Sequence, residues 1–166
     1  MSSINQIKEG FLFYEPKNYN EEQVKYRSAQ FYHELNGRRS IRQFSAKEIP
    51  EGVLENMIKA AATAPSGAHK QPWFFGVITS PEMKKKVRDA AEKEEYENYH
   101  GRMSDNWLKD LEKFGTDWHK PFLEVAPALI VIFKQTYEET EEGKAKNYYV
   151  NESVGIAAGI LVSAIH

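Results

Sequence analysis

The chain has 166 residues, 41% hydrophobic and 13% aromatic, and we expect one soluble folded domain because this size and composition can bury a core. Its 22 basic and 24 acidic residues nearly balance, and the mean hydropathy of −0.64 is too low for a membrane-embedded protein, so neither nucleic acid nor a membrane is an expected partner. Cysteine is absent, which excludes thiol nucleophiles, disulfides and cysteine-ligated metal sites.

The N-terminal region, residues 1–20, shows neither the apolar core of a signal peptide nor a spanning segment, because charged residues interrupt it. We therefore expect a cytoplasmic protein. An amphipathic helix is predicted over residues 20–36, where apolar side chains recur at helical spacing, and Asn36-Gly37 is a stop signal.

The middle of the chain alternates predicted helices with two predicted strands. An apolar stripe over residues 53–62 predicts a helix packed on the core. Two apolar, β-branched runs, at residues 73–79 and 128–133, predict buried strands. Between them, Ser80-Pro81-Glu82 is a helix start, and this helix is predicted to continue to about residue 99.

The last third of the chain is predicted to be mostly helical. Two short helical segments are predicted over residues 104–114 and 116–123, on either side of Gly115. The charged stretch 138–146 is predicted to be a solvated segment. A final helix over residues 148–165 is predicted to be buried on most sides. Because an α+β domain with two strands would need more of them, we expect the chain to be incomplete at its C-terminus.

A cluster of three arginines and a serine follows the first helix stop. Arg38, Arg39, Ser40 and Arg42 offer forked cationic donors and a hydroxyl, which suit a phosphate or the edge of a flavin ring. The same composition also describes a solvated basic turn, since short basic clusters are common on protein surfaces. The cluster alone leaves both interpretations open.

The loop Pro65-Ser66-Gly67-Ala68-His69 lies between a predicted helix and a predicted strand. Gly67 would let backbone N–H groups approach a flat ligand closely, and binding loops concentrate at such positions. A plain connecting loop explains the residues equally well, since Pro-Ser-Gly is an ordinary turn composition.

A third candidate combines Glu95 and Tyr99 with Lys120. The i, i+4 spacing places the carboxylate and the phenol on one helix face, and the lysine from the following segment could complete a cradle of opposite charges. Such a cradle would suit a zwitterion. The alternative is an exposed charged helix, which is the commoner situation for a Glu/Tyr pair.

Other common sites lack support in the sequence. The five histidines show no spacing typical of a metal site, and we expect no bound metal. The motifs of a Rossmann dinucleotide site, a P-loop and a serine-hydrolase elbow are also missing from the sequence. The functional interpretation therefore depends on the three candidates in combination.

Taken in order, these motifs resemble a known family. Arg38 to Arg42, followed by Ala64 to His69 and Gln71-Pro72-Trp73, resembles the N-terminal half of FMN-dependent nitroreductase-family flavoproteins. Other segments resemble more specifically the iodotyrosine deiodinase branch of that family. They are Glu94 to Tyr99, Arg102-Met103, Trp107, Thr116 to Lys120 and Asn147-Tyr148-Tyr149.

The resemblance implies an α+β fold with a central, mostly antiparallel sheet packed by helices, in an intertwined homodimer with two active sites at the subunit interface. Each site would bind one FMN non-covalently, and the whole chain, residues 1–166, would be a single FMN-binding domain. The residues implied to hold the flavin are Arg38, Arg39, Ser40 and Arg42, with Pro65, Ser66 and Gly67 from the facing subunit.

The same resemblance implies reductive dehalogenation of halotyrosines, for example of iodotyrosine to tyrosine and iodide. The amide of Ala68 is the implied catalytic group, since it would contact the substrate phenolate. Glu95, Tyr99 and Lys120 would bind the ammonium and carboxylate of the amino acid, within an active-site lid over residues 92–123. The electron donor or reductase would be a separate, unidentified molecule.

Two rival functions stay open. A broad-specificity NAD(P)H-dependent nitro or quinone reductase would use the same flavin-binding residues and leave Glu95, Tyr99 and Lys120 as surface groups. The second rival is a flavin-binding module without turnover. Halotyrosine binding distinguishes the first rival, and the reaction of reduced FMN with a halotyrosine distinguishes the second.

Overall fold

The computed structural model describes Phe11 and residues 13–166. Residue contacts divide the chain into two compact units, residues 1–38 and residues 39–166. The expectation of a single domain stays a prediction, and the expectation for the N-terminal region lies largely outside the described residues.

The first unit contains helix α1 (Glu21–Gly37). The helix begins with a capping box, in which the Asn20 side chain accepts from the Gln23 N–H at 2.9 Å and the Gln23 side chain accepts from the Asn20 N–H at 3.0 Å. It ends at Gly37, so the predicted helix and its stop signal are confirmed.

The second unit has the α+β architecture expected from the sequence. Strands β1 (Trp73–Ile78) and β2 (Leu129–Lys134) pair antiparallel. Helix α2 (Val53–Ala62), which has the predicted bounds, packs against the C-terminal helix α6 (Val150–Ile165), and α6 also contacts β2. Around the junction of these elements lies a small core, formed by Ala64, Trp73, Ala157, Phe75, Val154 and Ile160.

One end of the β1–β2 sheet is exposed on the face that carries Phe74 and Phe133. Phe74 and Phe133 lie directly opposite each other in the strand register, and their rings are 6.3 Å apart on this face. Their exposed fractions are 58% and 54%. The prediction of buried strands is therefore wrong at this pair, although Ile78, Leu129 and Val131, farther along the same face, are half-buried. A continuous apolar run indicates two covered faces, and the described residues do not cover this end of the face.

Helix α6 also differs from its prediction. It begins at Val150 because Tyr149 adopts a left-handed conformation, with φ 48° and ψ 41°. Its buried residues, Ser153, Ala157 and Leu161, form one stripe. The expectation of burial on most sides is wrong, since Gly155, Ile156, Gly159 and Val162 are exposed. Among the described residues, α2 and β2 make the main contacts with the helix.

Helix α3 (Pro81–Glu97) begins at the predicted N-cap, where the Ser80 hydroxyl accepts from the Met83 N–H at 3.1 Å. It continues into a π-helical turn (Asn98–Arg102) and is followed by helix α4 (Asp105–Glu112).

The segment that follows α4 was predicted to be helical over residues 116–123. The structure contains instead a short helix α5 (Phe122–Val125), preceded by a non-helical bend. The Asp117 carboxylate accepts from the His119 N–H at 2.8 Å, which favours a turn over a helix, and Pro121 restricts the residue before it.

The charged stretch 138–146 is largely exposed, as predicted, but it also has regular structure. Strands β3 (Tyr137–Thr140) and β4 (Gly143–Lys146) pair antiparallel as a hairpin, with Glu139 opposite Lys144. Gly143 has φ 114°, a conformation that favours glycine. Among the described residues, no helix is both long and apolar enough to cross a membrane.

Candidate functional site

The Glu95 carboxylate near the end of α3 and the Tyr99 phenol in the following π-helical turn lie close to a lysine from the bend before α5. The Lys120 ammonium lies 3.2 Å from a carboxylate oxygen of Glu95 and 5.8 Å from the centre of the Tyr99 ring. The Tyr99 hydroxyl donates to the Thr116 carbonyl at 3.3 Å. The structure therefore brings together the three residues that the sequence suggested as a zwitterion cradle.

These side chains line a cleft of about 460 Å³ between α3, α4 and α5. Its wall also includes a cation, Arg42, and a largely apolar surface formed by Ala91, Met103, Trp107, Leu111, Phe122 and Leu123. An apolar cleft with a few converging charged groups is typical of a small-molecule site. This lining suits an aromatic ligand that carries charges at one end.

The Lys120–Glu95 ion pair is partly removed from solvent. The side chains are 15% and 31% exposed, compared with 73% and 82% for the surface pair Lys25–Glu21. Partial burial weakens solvent screening, so each charge interacts more strongly with a nearby partner of opposite sign. An amino-acid zwitterion has the ammonium that Glu95 can accept from and the carboxylate that Lys120 can donate to.

The arginine cluster lies in extended backbone. Arg39, Ser40 and Arg42 belong to the second unit and have exposed side chains, and Arg42 is the member that lines the cleft. Arg38 is the last residue of the first unit, is half-buried, and donates its backbone N–H to the Leu35 carbonyl at 3.2 Å.

The Pro65–His69 loop has an unusual backbone. Ala68, His69 and Gln71 have φ values of 50°, 56° and 46°, which are left-handed and costly for residues other than glycine. The Ser66 hydroxyl stabilises this shape by accepting from the Gln71 N–H at 2.9 Å. Pro65 and Ala68 are exposed, whereas Ser66 and Gly67 are half-buried.

Two amides of this loop are available to a ligand. The His69 N–H donates to the Ser66 carbonyl, and the Lys70 N–H to the Gly67 carbonyl. Within the described residues, the N–H groups of Gly67 and Ala68 make no such bond. Strained segments that leave backbone donors unengaged are typical of binding sites.

Sequence inspection missed a second group of polar residues, on the face of α3 that carries Glu95. Arg88 donates to one Glu92 oxygen at 2.7 Å and to Glu124 at 3.0 Å. The same Glu92 oxygen accepts from the Lys120 backbone N–H at 2.7 Å. These contacts, first from Arg88 and then from Lys120, hold the pKa of the Glu92 carboxyl below its ordinary value.

Lys84 extends this group by one helical turn. It is buried, and its ammonium donates to the carbonyls of Glu124 at 2.9 Å and Ala126 at 2.8 Å. The available signal was the spacing of Lys84, Arg88 and Glu92 at i, i+4 and i+8, which places all three on one side of a helix.

Comparison with known proteins supports a family assignment. A nitroreductase family profile matches residues 35–166. An iodotyrosine deiodinase from Haliscomenobacter hydrossis is 54% identical over 160 residues, which is 96% of this chain and 72% of that protein. The human iodotyrosine deiodinase 1 is 47% identical over 149 residues, which is 89% of this chain and 52% of that protein. The chain thus spans about half the length of the human relative.

Solved structures show the same similarity. A crystal structure of oxidized iodotyrosine deiodinase bound to FMN and 3-iodo-L-tyrosine superposes with a TM-score of 0.70 and 29% identity, and the match covers 81% of this chain and 68% of that chain. An FMN-dependent nitroreductase from Clostridium difficile, at 23% identity and a TM-score of 0.55 over 82% of this chain and 55% of that chain, shares the fold.

Proposed function

This chain belongs to the nitroreductase family, and we propose that it is an FMN-dependent oxidoreductase that reductively removes halogen from halotyrosines. The observation that carries the proposal is the Lys120–Glu95 pair beside Tyr99 in an aromatic-lined cleft. A simple nitroaromatic or quinone has no ammonium and carboxylate to engage such a pair. An amino acid with a halogenated phenol has both charges and a flat ring.

The residues present fit FMN. Arg39, Ser40 and Arg42 present cations and a hydroxyl from extended, exposed backbone, which suits a phosphate and the polar ring edge. Gly67 and Ala68 present unengaged amides from a strained loop. The sequence resemblance adds Arg38, and it assigns Pro65, Ser66 and Gly67 to the flavin of a facing subunit. When bound, FMN supplies two electrons, which come from an unidentified donor or reductase.

The overall change replaces the carbon–halogen bond by a carbon–hydrogen bond. The halotyrosine takes up two electrons and one proton, and it leaves as tyrosine and a halide ion. The chain's own contribution is binding and orientation. The Ala68 N–H donates to the phenolate oxygen and so favours the ionised phenol, and the apolar wall of the cleft excludes water.

The charged end of the substrate is bound by exchange of partners. In the structure Lys120 and Glu95 neutralise each other, and Lys120 also donates to the Asp117 carbonyl. An entering amino acid places its ammonium against Glu95 and its carboxylate against Lys120, so two charge-assisted contacts replace one. A substrate with only one of these charges leaves the other residue without a partner.

The proposal includes a homodimer, since the resemblance divides each site between two subunits. The cytoplasmic location that the sequence suggests stays a prediction.

The first test is the absorbance spectrum of the purified chain, followed by a titration of its flavin fluorescence with iodotyrosine. We expect a yellow protein whose fluorescence changes in a saturable way on addition of iodotyrosine. A colourless protein that does not take up added FMN would contradict the cofactor assignment.

The second test is the reduction of bound FMN with dithionite, followed by addition of iodotyrosine. The expected result is reoxidised flavin, with stoichiometric tyrosine and iodide. Nitroaromatic reduction without halotyrosine binding would favour a general reductase, and bound flavin that iodotyrosine never reoxidises would favour a module without turnover.

A further inference from the structure

The bend that carries Lys120 has no regular secondary structure to fix it, and its contacts at Thr116 and Trp118 tie other parts of the bend to Tyr99 and Tyr96. Residues 116–121 lie outside helices and strands. Lys120 nevertheless has to keep its ammonium beside Glu95 for the cradle to exist. Two hydrogen bonds hold the backbone of Lys120: its carbonyl accepts from the Leu123 N–H at 3.0 Å, and its N–H donates to Glu92 of α3 at 2.7 Å. The second is the one that ties this backbone to α3.

We propose that Glu92 is a positioning residue, which sets the place of Lys120 in the cleft through the backbone and so determines affinity for the substrate carboxylate. This inference depends on the proposed function, because it concerns how the same site recognises an amino acid. Glu92 does not line the cleft, whereas Lys120 and Glu95 do.

The carboxylate of Glu92 is itself fixed by Arg88. Arg88 donates to it at 2.7 Å and reaches Glu124 of α5 at 3.0 Å, so α3 and α5 are bridged at the level of the bend. One turn earlier, buried Lys84 holds the carbonyls of Glu124 and Ala126. The Glu92 side chain is 16% exposed. A carboxylate that is partly buried and already paired has little freedom to move. A hydrogen bond to it therefore constrains the donor more than a hydrogen bond to an exposed carboxylate does.

The test is a double-mutant cycle between Glu92→Gln and Lys120→Met, with iodotyrosine affinity measured by flavin fluorescence. Glu92→Gln keeps an acceptor but removes the charge, and we expect affinity to fall by about tenfold. Asp89→Asn is the matched control. It removes one carboxylate from the same helix, from an exposed pair with Lys85, and should leave affinity unchanged.

The cycle separates positioning from general structural damage. If Glu92 acts through Lys120, then Glu92→Gln has no further effect on affinity once Lys120 is Met. FMN affinity should be unchanged in Glu92→Gln and in Asp89→Asn.

Three results would overturn the inference. The first is that Glu92→Gln binds iodotyrosine as tightly as Asp89→Asn does. The second is that the losses of iodotyrosine affinity add up in the double variant. The third is that Glu92→Gln loses flavin together with substrate binding. These leave the proposed function standing as long as the parent binds iodotyrosine and Lys120→Met weakens that binding. A parent protein that fails to bind iodotyrosine would instead overturn the proposed function, and the positioning role with it.

Discussion

Ion pairs of this chain differ in how much solvent surrounds them, and that difference decides which ones matter for recognition. Exposed i, i+4 pairs such as Lys25–Glu21 and Lys86–Glu82 contribute roughly 0.3–0.5 kcal/mol to stability. The Lys120–Glu95 pair is more buried, joins two separate segments and lines an apolar cleft. Changes at Lys120 or Glu95 should therefore appear in ligand affinity.

Glu95→Gln tests the charge that we propose faces the substrate ammonium. The amide keeps the size of the side chain but removes its charge, so iodotyrosine affinity should fall by about 1.5–3 kcal/mol, or roughly ten- to a hundredfold. Lys120→Met should weaken affinity similarly through the carboxylate. Fluorescence titration measures both. FMN retention and nitroaromatic reduction serve as controls and should barely change, and undiminished iodotyrosine affinity would show that this helix face is only a solvated surface.

Gly67 tests how closely the Pro65–His69 loop, the proposed flavin-binding loop, must approach the residues just before α6. A Cβ at this position would lie 3.0 Å from a ring carbon of Tyr149, 3.1 Å from the Tyr148 Cβ and 3.1 Å from the Tyr148 carbonyl oxygen. Because two of these atoms cannot rotate away, Gly67→Ala should shift the loop and reduce stability by about 1–3 kcal/mol, with weaker FMN retention. Urea unfolding and flavin release measure this. Gly101→Ala is the control, since its Cβ meets nothing within 4 Å, and equal behaviour of the two variants would contradict the prediction.

At the scale of elements, the contacts of Glu92 on α3 should make the free energy of unfolding depend on pH in the acid range. The pKa of this carboxyl is lowered, first by Arg88 and then by the Lys120 N–H. A lowered folded-state pKa means that the contribution to stability is present above the unfolded value, about 4.3, and is lost as pH falls through the folded value. The parent should therefore lose free energy of unfolding below about pH 4 more steeply than Glu92→Gln does.

Urea unfolding at a series of pH values measures this difference. Asp89→Asn, which leaves the Arg88–Glu92 contact in place, should follow the parent. Identical acid profiles for the parent and Glu92→Gln would show that the contact contributes nothing to stability.

Most helices could be predicted from the sequence because their signals are local. The apolar stripe of α2 and the serine cap of α3 depend only on neighbouring residues, and both are found at the predicted positions. The β3–β4 hairpin was missed because its strands consist largely of charged residues, and its stabilising pairs, such as Glu139 with Lys144, join residues from two strands. The number of charged residues alone indicates only a polar segment there.

The site could be predicted only as far as spacing on one helix allows. The i, i+4 relation correctly placed Glu95 and Tyr99 on one side of α3, and the ion pair with Lys120 exists in the structure. The contact between Glu92 and the Lys120 backbone spans 28 positions in the sequence. Its donor is a backbone N–H, which every residue except proline has, so no pattern of side chains predicts it.

At the scale of the whole molecule, two apolar surfaces of the second unit are exposed in the part of the chain that the structure describes. One is the sheet face with Phe74 and Phe133. The other is the side of α6 that carries Gly155, Gly159 and Val162, opposite its buried stripe by helical geometry. Contiguous apolar surface on a folded chain commonly marks an interface. The two faces therefore support the homodimer that the sequence resemblance implies.

Gly159→Leu tests whether α6 packs against a second copy. Outside its own helix backbone, a Cβ at Gly159 meets no atom of the described residues within 4 Å. Leucine is favoured over glycine inside a helix by about 0.8–1 kcal/mol, so the fold of one subunit should not suffer. If two α6 helices approach closely at this glycine, the larger side chain should block the contact and weaken the dimer. Sedimentation over a range of concentrations measures the dissociation constant of the dimer. Lys59→Leu, which adds the same side chain to an exposed position of α2, is the control.

We expect a dimeric parent, a dimeric Lys59→Leu variant and a Gly159→Leu variant that dissociates at higher concentration. A flavin-loaded monomer in the parent would contradict the shared site, and an undiminished dimer in Gly159→Leu would place the interface elsewhere.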